Sequence, residues 1–181
     1  KHLFDLAEKL VVDATRRAND INEMFSDKEI KAIICLQGGD NANSVLPLLD
    51  YELIKNNPKI IMGLSDITTI LNAIYTKTGL ITYHTNDYLF GFGGNFTEYD
   101  MEDFNNAFVL GNRTEIKPTK ERKVIREGQA EGKLIGGNLR CLLKLAGTEY
   151  FPDFTDSILF VEALSGNVKQ YDYMFEQLKQ I

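Results

Sequence analysis

The segment Gly63-Leu64-Ser65-Asp66-Ile67-Thr68 puts a serine between an apolar run and the start of an amphipathic stretch. A nucleophile profits from that junction. A sharp strand-to-helix turn exposes its hydroxyl, and the free N–H groups of the helix start can hold a developing oxyanion. The same position suits a plain helix N-cap, a common task for serine, and spacing alone favours the cap. The segment is not the G-x-S-x-G turn of α/β-hydrolases, because Ile67 stands where the second glycine would be.

Gly38-Gly39 ends an earlier apolar run at residues 31–37. In a parallel sheet the pair shares the carboxyl edge with Ser65, and ligands bind at that edge. Paired glycines either let a backbone approach closely with N–H groups turned inward, or form a tight turn and nothing more. The sequence has neither a Rossmann fingerprint nor a phosphate loop here. Glu162 follows the apolar residues 158–161, so its carboxylate is either solvated at a strand tip or aimed into the same crevice. His2 and His84 have no metal-ligand spacing with Cys35 or Cys141, and no metal site is expected.

Positioning these residues requires strands and helices in alternation. Leu3, Leu6, Leu10, Ala14, Ala18, Ile21 and Phe25 form an apolar stripe at helical spacing. Residues 31–37 read as a strand buried on both faces, and 46–54 as a helix stopped by Asn57-Pro58. Residues 60–64 are a second buried strand. Ile67, Ile70, Leu71 and Ile74 mark a helix that Gly79 closes, and residues 80–83 are a third strand.

After residue 84 the character changes. Residues 90–96 read as a loop rich in glycine and aromatic rings, and 101–110 as a short helix. The basic stretch 113–126 carries Arg113, Lys117, Lys120, Arg122, Lys123 and Arg126 and reads as a solvated crossover. A strand at 133–135 enters Gly136-Gly137-Asn138, a helix over 139–146 ends at Gly147, residues 157–161 are another buried strand, and a last helix spans 167–179. The alternation predicts an α/β fold with a flavodoxin-like parallel layer and the start of a second, C-terminal domain. The expected division is residues 1–115, carrying Ser65, and 116–181, carrying Glu162.

The 181 residues are 44% hydrophobic and 25% charged, the balance of a folded globular protein and not of a disordered tail. A net charge of −6 argues against a general nucleic-acid binder, whose affinity comes from neutralising phosphates. Cys35 and Cys141 lie in apolar runs and read as buried thiols of a reducing compartment, so a cytoplasmic location is expected. No apolar run reaches the roughly 18 residues of a membrane span. Asp5, Glu8 and Lys9 interrupt the N-terminal apolar residues, which therefore form no signal peptide. The chain opens without Met, and its numbered start is not expected to be the gene's start.

Residues 38–68, 73–84, 132–154 and 158–167 together resemble the LD-carboxypeptidase family of serine peptidases, most closely its microcin C self-immunity branch. The resemblance is collinear over most of residues 15–181, and weak over 85–131 and the first dozen residues. It implies that Ser65 is the nucleophile and that Glu162 orients a catalytic histidine. It also implies an oxyanion hole from the backbone of Gly39 and Asp66, with Gly38 beside the substrate and Asn138 in contact with the substrate's terminal group. In the family the histidine comes later than any in this chain, and His84 is not that base. The chain thus resembles a fragment without the opening strand and the base, expected to be inactive alone.

The implied reaction is hydrolysis of an amide bond beside a free carboxylate. The implied substrate is an LD-peptide of murein turnover or a microcin-like peptidyl or aminoacyl nucleotide. No metal or organic cofactor, nucleic-acid polymer or membrane is implied, and the expected assembly is a homodimer. Relatives acting on peptidyl nucleotides stack the base on a tryptophan, and this chain has none. The rival reading is a non-catalytic α/β module that holds an anion at Gly38-Gly39 and the start of the Asp66 helix. If Ser65 and Glu162 share one imidazole, their side-chain oxygens stand roughly 6–9 Å apart.

Overall fold

The computed structural model describes residues 13–112, 115, 116 and 118–181. Leu3, Leu6 and Leu10 of the N-terminal stripe, and Arg113 and Lys117 of the basic stretch, lie outside the described residues. Strands β1 (Ala32–Ile34), β2 (Ile60–Gly63) and β3 (Tyr83–His84) form one sheet in that order, with both pairings parallel. Strands β4 (Lys133–Asn138) and β5 (Ser157–Glu162) form a second parallel pair. Parallel neighbours need crossovers, and helices supply them. The helices are α1 (Ala14–Ser26), α2 (Tyr51–Asn56), α3 (Ile67–Thr78), α4 (Glu98–Phe104), α5 (Leu139–Leu143) and α6 (Val168–Gln180), of which α2, α3 and α5 lie in the crossovers β1–β2, β2–β3 and β4–β5. The parallel α/β architecture expected from the alternation is what forms.

The helix α3 is the element on which the rest is hung. Its stripe Ile67, Ile70, Leu71 and Ile74 is buried as the spacing requires, but Thr68, Thr69 and Asn72 are buried too. A helix covered all round lies between layers. The polar side chains on its far face are satisfied by the second sheet's neighbourhood. Asn72 Nδ2 donates to the carbonyls of Thr68 and Gly136, each at 2.8 Å, and Thr69 Oγ1 donates to the Cys141 carbonyl at 3.3 Å. The Asn138 N–H donates to Thr68 Oγ1 at 3.0 Å. Gly137 makes the approach possible. Its φ is 132°, and a Cβ there would stand 2.6 Å from Thr68 Cγ2 and Oγ1.

Several local expectations are corrected. The helix expected at 46–54 is broken into a 3-10 stretch, Ala42–Leu48, and α2. Pro47 lies inside the first piece, Leu49 is extended, and Asp50 restarts the helix by accepting from the Leu53 N–H at 2.8 Å. The third strand is only Tyr83–His84, because residues 80–82 stay tied to α3. The Leu80 N–H donates to Thr78 Oγ1, and Thr82 Oγ1 donates to the Leu71 carbonyl. The strand in 31–37 narrows to β1, which leaves Ala32 exposed at the sheet edge.

All of the expected loop at 90–96 but Phe96 lies inside a π-helical stretch, Tyr88–Asn95, begun by Asp87. Tyr88, Phe92 and Phe96 stack in series, with ring centroids 6.4 and 4.4 Å apart, and this stacking offsets the cost of three glycines. The helix expected at 101–110 starts earlier, as α4, and continues as a π-helical stretch, Asn105–Val109. Burial of β5 is not found: Ile158, Leu159 and Val161 are 37%, 42% and 41% exposed, since the second sheet has two strands among the described residues. Cys141 is buried as expected, whereas Cys35 is half-buried.

The polar ties of Asn72 predict the effect of removing them. Asn72→Ala in the intact parent protein is expected to lower stability by about 1–3 kcal/mol, because buried carbonyls lose a donor. Urea denaturation measures this, and a loss below about 0.5 kcal/mol would count against Asn72 as the tie between α3 and β4.

Candidate active site

Ser65 follows β2 and precedes α3 with φ at 58°. Among the described residues only Ser65 and Asp156 combine a side chain with positive φ. That conformation brings Cβ against the backbone, and it persists only where the surroundings impose it. Here the surroundings are the first turn of α3 and the Gly38-Gly39 loop. The Thr68 N–H donates to the Ser65 carbonyl at 3.0 Å, and the Thr69 N–H to the Asp66 carbonyl at 3.1 Å. On the other side, a Cβ on Gly38 would stand 2.8 Å from Ser65 Cβ and 3.0 Å from Oγ. The loop can lie this close only because residue 38 has no side chain. A Cβ on Gly39 would stand 3.6 Å from Asp66 Oδ2. The structure therefore brings Gly38, Gly39, Ser65 and Asp66 together at one carboxyl edge. The capping alternative for Ser65 is not what forms, since the N-cap position of α3 falls to Asp66.

Asp66 is 1% exposed and fully engaged. Its Oδ2 accepts from the Ala42 N–H at 2.7 Å, and its Oδ1 meets Lys144 Nζ at 2.5 Å. Lys144 Nζ also donates to the Asp40 carbonyl at 2.8 Å. Sequence reasoning missed Lys144. The available signal was a lone cation among Leu142, Leu143 and Leu145.

Glu162 ends β5 directly across from Asn138 at the end of β4. Asn138 Nδ2 donates to Glu162 Oε2 at 3.1 Å, while its Oδ1 caps α5 by accepting from the Cys141 N–H at 3.2 Å. With its backbone N–H on Thr68, Asn138 connects α3 to the acid. That holding role was not read from the sequence.

His84 ends β3, and its ring lies edge-on to Phe160 with centroids 5.4 Å apart. Burial lowers its pKa, and the charge of Glu162 acts in the opposite sense. The Cys35 thiol is pushed up to about 12 by burial and by the charge of Asp87. Burial raises Cys141 to about 11 although Lys144 pulls it down. Both shifts favour the neutral thiol over the thiolate.

The chain is similar to known proteins. Residues 1–85 match the model of the LD-carboxypeptidase N-terminal domain, and residues 131–181 match that of the LD-carboxypeptidase C-terminal domain. YocD of Bacillus subtilis is 41% identical over 81% of this chain and 51% of its own length. The microcin C7 self-immunity protein MccF of Escherichia coli is 35% identical over 90% of this chain and 56% of its own. The chain thus spans about half the length of the relatives it matches. A solved structure of MccF in complex with aspartyl sulfamoyl adenosine superposes with a TM-score of 0.81 at 32% identity, covering 93% of this chain and 59% of that one. A muramoyltetrapeptide carboxypeptidase from Oxalobacter formigenes gives a TM-score of 0.81 at 25% identity, covering 93% and 57%.

The strained turn makes a prediction that needs no substrate. Ser65→Gly removes the side chain that φ of 58° penalises, and is expected to stabilise the intact parent by about 1 kcal/mol. Thermal denaturation measures it, and a destabilised variant would show that the turn is not strained.

Proposed function

Because the chain belongs to the LD-carboxypeptidase family, we propose that the full-length protein hydrolyses an amide bond beside a free carboxylate by a Ser–His–Glu mechanism. Ser65 Oγ attacks the carbonyl carbon. The backbone N–H groups of Gly39 and Asp66 take the charge that develops on the carbonyl oxygen, and Gly38 lines the substrate's approach. An imidazole accepts the serine proton and returns it to the leaving amine. Water then hydrolyses the acyl-enzyme by the same route in reverse. Glu162 holds that imidazole in its working tautomer, and Asn138 both steadies Glu162 and faces the substrate's terminal group. The imidazole is assigned to the part of the full-length relatives that this chain does not span, so the segment alone is inactive.

The observation that carries this reading is the left-handed Ser65 lying against a side-chain-free Gly38. A serine used only as a cap has no need of that strain. The nucleophile belongs to residues 1–115 and the acid to 116–181, and the acting unit is a cytoplasmic homodimer that needs no metal or organic cofactor. Two free thiols support the reducing location, and Phe90, 68% exposed, offers apolar surface to a second copy. Among the described residues no helix is long and apolar enough to cross a membrane.

Two substrate classes follow from the relatives, an LD-peptide of murein turnover and a peptidyl or aminoacyl nucleotide. Assaying the full-length protein against both decides between them, and Ser65→Ala is expected to lower the productive rate at least about 1,000-fold. A Ser65→Ala enzyme as fast as wild type would sink the assignment. Inactivity on both substrates, with no labelling of Ser65 by a fluorophosphonate, would leave the anion-binding module as the reading.

A further inference from the structure

In the reading above, the two oxyanion donors are backbone N–H groups on different segments, Gly39 after β1 and Asp66 after β2. Nothing in the ladder of β1 and β2 fixes their separation, because the last registered pair is Ile34 with Met62, before either donor. Residues 38 and 39 have no regular structure of their own. What spans the gap is side-chain chemistry. The Asp66 carboxylate accepts the Ala42 N–H, and Lys144 Nζ reaches both Asp66 Oδ1 at 2.5 Å and the Asp40 carbonyl at 2.8 Å. One ammonium therefore bridges the residue that follows the nucleophile and the residue that follows Gly39.

The environment makes this bridge stiff. The Asp66 side chain is 2% exposed and that of Lys144 22%. A carboxylate so far from water is strongly held by the Lys144 ammonium, and removing that partner takes away a compensating charge. Lys144 is anchored in turn at the C-terminal end of α5, between the buried Leu142 and Leu145. The ammonium is thus presented from the C-terminal half of the chain to a turn and a loop in the N-terminal half.

We propose that Lys144 is a positioning residue that sets the distance between the Gly39 and Asp66 N–H groups, and with it the geometry of the oxyanion hole. The proposal rests on the serine hydrolase reading. An oxyanion exists in the transition state and not in bound substrate, so loosening its donors lowers kcat and leaves KM in place. A salt bridge that only added stability would instead move the melting temperature without that split.

The test uses the full-length protein with Lys144→Met, which keeps the stem and removes the ammonium, and Lys144→Arg, which restores the charge. Lys144→Met is expected to lower kcat roughly 10- to 100-fold, with KM within about twofold. Lys144→Arg is expected to recover most of that loss. Lys144→Gln, which can still donate to the Asp40 carbonyl, replaces the Met variant if that one does not fold, with the same expected direction. Amide hydrogen exchange supplies a readout independent of any substrate. Exchange at residues 39–42 should speed at least about tenfold in the Met or Gln variant, while Ile61 and Met62 in β2 stay protected. Unaltered exchange at 39–42 overturns the proposal, as does a kcat within about twofold of wild type. A wild-type protein that neither hydrolyses nor reacts with a fluorophosphonate defeats the hydrolase reading, and the oxyanion role of Lys144 falls with it. Loosened exchange beside an active, unslowed enzyme defeats the proposal alone.

Discussion

Ser65 holds a left-handed backbone against a loop that can approach it closely because residue 38 carries no side chain. The rest of the architecture can be understood as serving that contact. Strand β1 delivers Gly38-Gly39 and β2 delivers Ser65, and their parallel pairing sends both chains out of the same edge. An antiparallel pair would have sent them to opposite ends. The strain at Ser65 is small beside the burial of α3, whose Ile70, Leu71, Ala73 and Ile74 are all in the core. A rigid helix immediately downstream allows the turn to remain strained without relaxing.

The same helix carries the second half of the site. Its polar face, Thr68 and Asn72, bonds to the backbone of Asn138 and Gly136. Hydrogen bonds fix direction where apolar contact alone would permit sliding. Asn138 then passes that placement to Glu162 through its side-chain amide. Ser65 and Glu162, 97 positions apart, are thereby referred to one element. Buried polar groups in such a chain are costly unless all are satisfied, and the partners at Thr68, Thr69 and Asn72 meet that condition.

Much of this was legible in the sequence, for a definite reason. Apolar runs and helical spacing report which residues must leave water, so β2, α3 with Gly79 at its end, and α6 could be placed directly. The carboxyl-edge residues Gly38, Gly39, Ser65 and Glu162 followed from where those runs stop. Local pattern does not report what covers a surface. Residues 158–161 look as buried as β2 in sequence, yet Ile158, Leu159 and Val161 are exposed. Nor does it register interactions formed late in the chain, such as Lys144 on Asp66, 78 positions apart. The π-helical stretch Tyr88–Asn95 was hidden because its glycines signal a loop, and the stacking of Phe92 on Phe96 outweighs them.

The central claim is that the edge formed by Gly38, Gly39, Ser65 and Asp66 is a nucleophile with its oxyanion hole. The most direct test is a crystal structure of the full-length protein after reaction with a fluorophosphonate. The account predicts phosphorus bonded to Ser65 Oγ and a phosphonyl oxygen about 2.7–3.1 Å from the backbone nitrogens of Gly39 and Asp66. An adduct on another residue, or a phosphonyl oxygen turned away from both nitrogens, would contradict it.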